Sequence, residues 1–263
     1  MRFLKKWSTS ELSSDPALFE YLLRFGDNCL ILSQRLSEWC GHGPVLEEDI
    51  AITNVALDLL GQARFWLTYA AQTEDRGRDE DQLAFLRDTR EFRSALLVEQ
   101  PNGHYGDTIA RQFYFDSWHY LALQQLRHSR DPRVAEIAEK ARKEVKYHLE
   151  RSTDWVIRLG DGTDESHARM QSALDGLWMY TGELFDMDAV DSEMLDRGVG
   201  IDLASLRQPW LQHLENTLSE ATLKLPDGKW MQRGGKQGVH TEKLGFLLAE
   251  MQFMQRAYPG AQW

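Results

Sequence analysis

The stretch from Gly106 to Arg130 reads GDTIARQFYFDSWHYLALQQLRHSR, and its apolar residues, from Ile109 through Phe113, Phe115 and Trp118 to Leu126, cover nearly the whole circumference of a helix. A helix that is apolar all round is stable only with neighbours on several sides, so the rest of the chain must supply a multi-helix core. In its middle stands Asp116, a poor helix former that is costly to bury, with His119 one turn later on the same face. A carboxylate in that position needs a metal, a basic side chain or a backbone donor.

The 263 residues can bury a sizeable core. A formal charge of -11 argues against nonspecific binding to nucleic acid or anionic membrane, both of which require basic patches. Two cysteines, Cys29 and Cys40, are too few for a disulfide framework and point to a reducing compartment. Cys29 has no base near it in sequence and reads as core. The N-terminus has no apolar signal segment and no apolar run reaches membrane-spanning length, so the expected location is the cytoplasm.

Residues 1 to about 15 read as a solvated arm, ending where Ser13, Ser14 or Asp15 caps a helix that begins at Pro16. Leu18, Leu22, Phe25, Cys29, Leu32, Leu36 and Trp39 form one inward stripe, stopped by Gly41-His-Gly43-Pro44. The next helix starts with acidic residues and carries Val55, Asp58, Leu59, Gln62 and Trp66 as inward candidates. A long connection follows, with a helical piece near Leu83 to Arg93 and a break at Pro101-Asn-Gly103. Then come the central helix and, from Asp131-Pro132, another whose stripe runs from Val134 to Leu159 and stops at Gly160-Asp-Gly162. Two helix pairs joined by a long crossover are the order of an all-α, ferritin-like four-helix bundle.

Beyond the bundle, a helix is expected from Thr163 or Asp164 through Phe185. The acidic run Asp186, Asp188, Asp191, Glu193, Asp196 reads as a solvated loop, and Leu203 to Leu218 as a helix. A hairpin is expected around Pro226-Asp-Gly228, a basic loop over Arg233–Gly238, and a last helix from Leu244 to Met254. The expected organisation is an arm over 1–15 and one domain over 16–263, its core bundle spanning about 16–160 and its additional helices and basic loop 163–263.

Di-iron bundles take a Glu from each of two helices and a Glu-x-x-His from each of the other two, because i and i+3 present both ligands from one face. This chain offers fragments of that set: Asp58, Asp116, His119, Glu144 and His148. Glu144 has Tyr147 at i+3 and its imidazole only at i+4; Asp58 has Gly61 at i+3; the first helix presents Cys29 and Leu32. Two dications need several bridging anions, so a working di-iron centre is not expected. The expected arrangement is a vestigial site in which Asp58, Asp116, Glu144 and His148 form a buried network, joined by Arg64, Arg111 or Lys140. The alternative is a single metal held by His119, His148 and a carboxylate, which would make the protein a metal-dependent oxygenase or oxidase with an atypical mononuclear site. Arg233, Lys236 and His240, in a glycine-rich loop, are either a phosphate or acidic-partner contact or a solvated turn. No phosphate-binding glycine loop, dinucleotide fingerprint or Ser-His-Asp pattern is present.

The blocks LLRFGDNCLILSQRLSEWCGHGP, NVALDLLGQAR, LLVEQPNGHYGDTIARQFYFDSWH, ELFD at Glu183 to Asp186, and RGGKQGVHTEKLGFLLAEMQ carry a resemblance. From about Phe19 to Trp263 the chain resembles the C-type subunits of multicomponent ring 1,2-phenylacetyl-CoA epoxidases. That resemblance implies a ferritin-like structural subunit without a di-iron centre of its own. It further implies pairing with the homologous catalytic A-type subunit that holds the iron and the CoA thioester, electrons from an NADPH-dependent reductase component, and a place in aerobic phenylacetate breakdown. No catalytic residue carries over, because the chain departs from the metal motif at Gly61, Tyr147 and the first helix. Large aromatic residues anchor interfaces, which makes Trp39, Trp66, Tyr69 and Trp263 candidate docking residues. A homodimer of the isolated chain is left open.

Overall fold

The computed structural model describes residues 14–261, and its four bundle helices follow start signals or stripes in the sequence. Residues 1–13 of the expected 1–15 arm and the candidate anchor Trp263 lie outside the described residues. Helix α1, Pro16–Ser37, starts where the Asp15 carboxylate accepts the Leu18 N–H at 3.1 Å, with Pro16 in the first turn. Helix α2, Leu46–Glu74, opens on Glu47, Glu48 and Asp49, acids that suit the positive end of a helix dipole.

The crossover contains α3, Glu80–Phe85, and a 3₁₀ turn at Thr89–Glu91 rather than one helix to Arg93. The interruption has a cause: the Arg87 guanidinium turns inward to Asp27 and also donates to the Glu91 carbonyl at 3.0 Å. Helix α4, Tyr105–Leu126, is the central one, and α5, Pro132–Gly160, is capped by Asp131, which accepts the Arg133 and Val134 N–H groups at 2.8 and 3.0 Å.

α1 packs along α2 and α4 along α5, while α2 also meets α5. Between α1 and α4, Phe25 stacks on Trp118 with centroids 6.1 Å apart, and Trp39 Nε1 donates to Thr108 at 3.0 Å. The molecule is all-helical, a ferritin-like bundle with a long crossover, and no strand occurs among the described residues.

The additional helices are α6, Asp164–Trp178; α7, Ala189–Asp196; α8, Leu203–Glu220; α9, Glu242–Met251; and α10, Phe253–Ala257. Of these, α6 and α8 pack on α4, α7 packs on α1, and α9 meets the crossover. Trp210 of α8 is fully buried and donates its indole N–H to the Tyr114 carbonyl at 3.0 Å. Burying one such side chain contributes roughly 1.5–3 kcal/mol.

Here the sequence expectations need four corrections. α6 stops at Trp178, and a 3₁₀ turn at Gly182–Phe185 swings Glu183 inward to accept backbone N–H groups. The acidic run is a helix, α7, capped by Asp188, and its Asp191 is buried against Arg24 and Lys236. The hairpin around Pro226 does not form, because that segment bonds to α6 and its end: Lys224 N–H to Gln171, Gln232 N–H to the Met179 carbonyl, and the Trp178 indole to the Gly228 carbonyl. The last helix is split at Gln252, whose side chain donates to the Ala84 and Arg87 carbonyls. Among the described residues no helix is long and apolar enough to cross a membrane.

Candidate functional site: the polar centre of the bundle

Helical periodicity brings the polar residues of three helices to the middle of the bundle. α4 delivers Asp116 and His119, α5 delivers Glu144, His148 and Ser152, and α2 delivers Asp58 and Gln62. They do not join into one network. His148 Nε2 lies 3.0 Å from Asp58 Oδ2, and Asp58 itself sits at the α2–α5 seam with its side chain 38% exposed. Glu144 instead accepts the Gln62 side-chain N–H at 2.9 Å, and Gln62 Oε1 is 3.8 Å from the Cys29 thiol of α1. Burial, with Glu144 and Asp27 adding to it, pushes that thiol well above its ordinary range, so Cys29 is an inert core residue.

Asp116 is buried, and one of its oxygens, Oδ1, has no hydrogen-bond partner. Burial pushes its carboxyl up to about 6, against the opposing pull of His148, Ser152, Arg151 and Arg111. His119 is equally buried, with both ring nitrogens unpartnered and its ring 5.1 Å from that of Phe115. Burial, reinforced by His148, brings it down to about 3, so it is neutral at physiological pH. His148 Nδ1 and both side-chain polar atoms of Gln112 are also without partners.

The three cations expected here are elsewhere. Arg64 pairs with Glu80 at 3.3 Å, Arg111 donates to the Gln100 carbonyl and the Asn102 side chain, and Lys140 Nζ lies 4.0 Å over the Phe65 ring. Among the described residues, no three His, Cys, Asp or Glu side chains converge on a point that could hold a metal ion. The residues present therefore do not fit a di-iron centre. Sequence reasoning placed Gln62 and Ser152 on inward stripes but gave them no polar role; Gln112, one turn before Asp116, it missed.

The basic loop is also turned inward. Lys236 Nζ bonds Asp191 at 2.8 Å and the Asp186 carbonyl at 2.7 Å. His240 lies 3.0 Å from Glu99 and 3.0 Å from the Phe92 carbonyl; burial alone would lower its pKa, but these two partners raise it. Both side chains are thus engaged within the fold rather than solvated as a turn. Arg233, paired with Asp186 at 2.5 Å, is the exposed member. Trp66 is fully buried and belongs to the core, whereas Trp39 and Tyr69 are partly buried, pack against the core and are bonded within the fold, Tyr69 to Asp131 at 2.6 Å.

A family model described as "Phenylacetic acid catabolic protein" matches residues 1–263. The C-type subunit of the 1,2-phenylacetyl-CoA epoxidase of Escherichia coli (strain K12) is 53% identical over 246 residues, which cover 94% of this chain and 99% of that relative. The chain belongs to the phenylacetic acid catabolic protein family.

Proposed function

We propose that this chain acts in phenylacetate catabolism as a non-catalytic structural subunit of a multicomponent phenylacetyl-CoA 1,2-epoxidase. In this reading it pairs with and stabilises the homologous catalytic A-type subunit, which carries the di-iron centre and takes electrons from an NADPH-dependent reductase component. The observation that carries it is a bundle kept intact around a centre whose carboxylates are tied to Gln62 and His148 or left single, with no ligand set for two metals among the described residues. The kinship with a C-type epoxidase subunit supports the same reading. Its chemistry is that of packing: a fold held by α1, α2, α4 and α5 offers a rigid body against which a second bundle can be held. Co-expression with the catalytic subunit of the same organism is expected to give a co-purifying complex with higher catalytic-subunit yield and epoxidase activity. Failure to co-purify sinks the proposal.

A mononuclear metal oxygenase or oxidase is the second reading, and it rests on the unpartnered atoms of Asp116, His119 and His148 in one place. Elemental analysis separates the two. Near-stoichiometric iron or manganese in the isolated chain, lost in His119→Ala and His148→Ala, would establish the second reading against the first.

A further inference from the structure

The glycine-rich segment before α9 lies directly on the crossover backbone. A Cβ on Gly235 would stand 2.1 Å from the Ser94 carbonyl oxygen, and one on Gly238 2.1 Å from the Arg90 carbonyl oxygen, so glycine at both positions is what lets the two backbones approach this closely. Three polar ties hold the segment there. Glu183 accepts the Gly234 and Gly235 N–H groups, Lys236 reaches Asp191 and the Asp186 carbonyl, and His240 sits between Glu99 and the Phe92 carbonyl.

The third tie depends on a proton. His240 Nδ1 lies 3.0 Å from Glu99 Oε2 and Nε2 lies 3.0 Å from the Phe92 carbonyl oxygen, and both oxygens are acceptors. A neutral imidazole carries one N–H and one lone pair, so either tautomer would set a lone pair against an oxygen here. Only the imidazolium donates to both. The His240 and Glu99 side chains are 1% and 0% exposed, and the other Glu99 oxygen accepts the Thr241 N–H at 2.7 Å, where α9 begins. Loss of the proton therefore breaks one of the two contacts and strips a buried carboxylate of its counter-charge.

The charges on neighbouring elements are engaged elsewhere. From α1, Asp27 is closed by Arg87, and Arg35 donates to the Glu99 and Lys243 carbonyls. On the crossover Arg93 pairs with Glu20, and Arg90 and Glu91 of the 3₁₀ turn are exposed. Lys236 is bound to Asp191, and Glu242 and Lys243 of α9 pair with each other at the surface. Burial works against a charged His240, but Glu99, the Phe92 carbonyl and Asp27 outweigh it and hold the pKa above its ordinary 6.5.

We propose that His240 is a proton-operated latch: its imidazolium pins residues 233–241 and the start of α9 to the crossover, and loss of that proton opens the segment locally while the four-helix bundle stays folded. The sign follows from linkage. The latch is at full strength below the ordinary histidine value of about 6.5 and is lost as pH rises through the higher pKa of the latched form. It stands whether or not the chain pairs with a catalytic subunit.

Hydrogen exchange of the full chain as a function of pH, corrected for intrinsic rates and read by mass spectrometry, tests this alongside NMR titration of the His240 ring protons. Protection of the 233–241 peptide is expected to be constant below about pH 6.5, to fall by up to about tenfold per pH unit above it, and to level off once His240 has titrated, while peptides of α8 keep theirs. The His240 midpoint should lie above 6.5. His240→Gln, which like a neutral imidazole offers a donor on one side and an acceptor on the other, should lose protection of that peptide already at low pH and lose its pH dependence. Glu99→Gln should lower the His240 midpoint. A His240 midpoint at or below 6.5, a 233–241 peptide that follows α8 at every pH, or a His240→Gln chain with the parent's protection overturns the proposal. If His240→Gln does not fold, the two profiles of the parent decide alone.

Discussion

The crossover side and the bundle centre both bury charge, and they treat it in opposite ways. On the crossover side Arg87 forks onto Asp27, which also accepts the Arg93 backbone N–H at 2.8 Å, and both side chains are essentially unexposed. Arg24 bridges Asp188 and Asp191; Glu183 accepts backbone N–H groups from Leu96, Gly234 and Gly235; Glu99 takes His240 and the Thr241 N–H. At the centre, by contrast, Asp116, His119, His148 and Gln112 leave atoms unpaired. The difference lies in the backbone. Irregular loops have N–H and C=O groups to spare, and buried side chains satisfy them; inside four helices the backbone groups are already committed to i to i−4 bonds, so side chains have only one another. A polar centre in a bundle is therefore costly unless an ion or water completes it, whereas on the crossover side the buried carboxylates of Asp27, Glu99 and Glu183 all find donors, and the unpaired atoms there are the single ones Arg24 Nε, Ser94 Oγ and Thr241 Oγ1.

That contrast breaks most easily at Asp27. Asp27→Ala leaves the Arg87 charge buried and uncompensated, and a loss of about 3–5 kcal/mol is expected in urea denaturation. A loss under about 1 kcal/mol would mean that the pair is not a staple. Glu183→Gln turns an amide toward three backbone donors and should cost roughly 2–3 kcal/mol, measured the same way.

The centre should answer to pH. The folded Asp116 carboxyl lies at about 6, above its usual 3.8, so its stabilising contribution is full below about 3.8 and is lost as pH rises through 6. Folded His119 lies at about 3, below its usual 6.5, so its contribution is present above 6.5 and is lost as pH falls toward 3. The two windows oppose each other between pH 4 and 6. Asp116→Asn should therefore make the chain more acid-sensitive than the parent, by on the order of 2 kcal/mol at pH 4, and His119→Phe less so. Parallel stability–pH profiles for parent and variants would refute it.

The smallest effect is expected at neutral pH. His119→Phe removes two unpaired nitrogens from an aromatic surrounding and should leave the thermal midpoint unchanged or stabilise by up to about 1 kcal/mol. A loss beyond about 2 kcal/mol would reveal a partner for the imidazole and would sharpen the case for an ion at the centre.

The sequence alone was enough for what depends on residues within a turn or two of each other. The Asp15-Pro16 and Asp131-Pro132 starts, the 3–4 stripes of α1 and α5, the stop after Gly160 and the order of two helix pairs around a long crossover were all readable, because caps and stripes are local. So was the broken ligand spacing at Gly61 and Tyr147. Tertiary structure alone decided which buried charges meet, since Glu99 finds His240 across 141 residues and Asp27, off the expected α1 stripe, is buried only because the crossover covers it. It also turned the acidic run into α7, drew Lys236 inward, and sorted the two apolar faces of α2 into one that is core and one that is open to solvent. Periodicity marks a face as apolar; only the placement of neighbouring elements determines whether anything covers it.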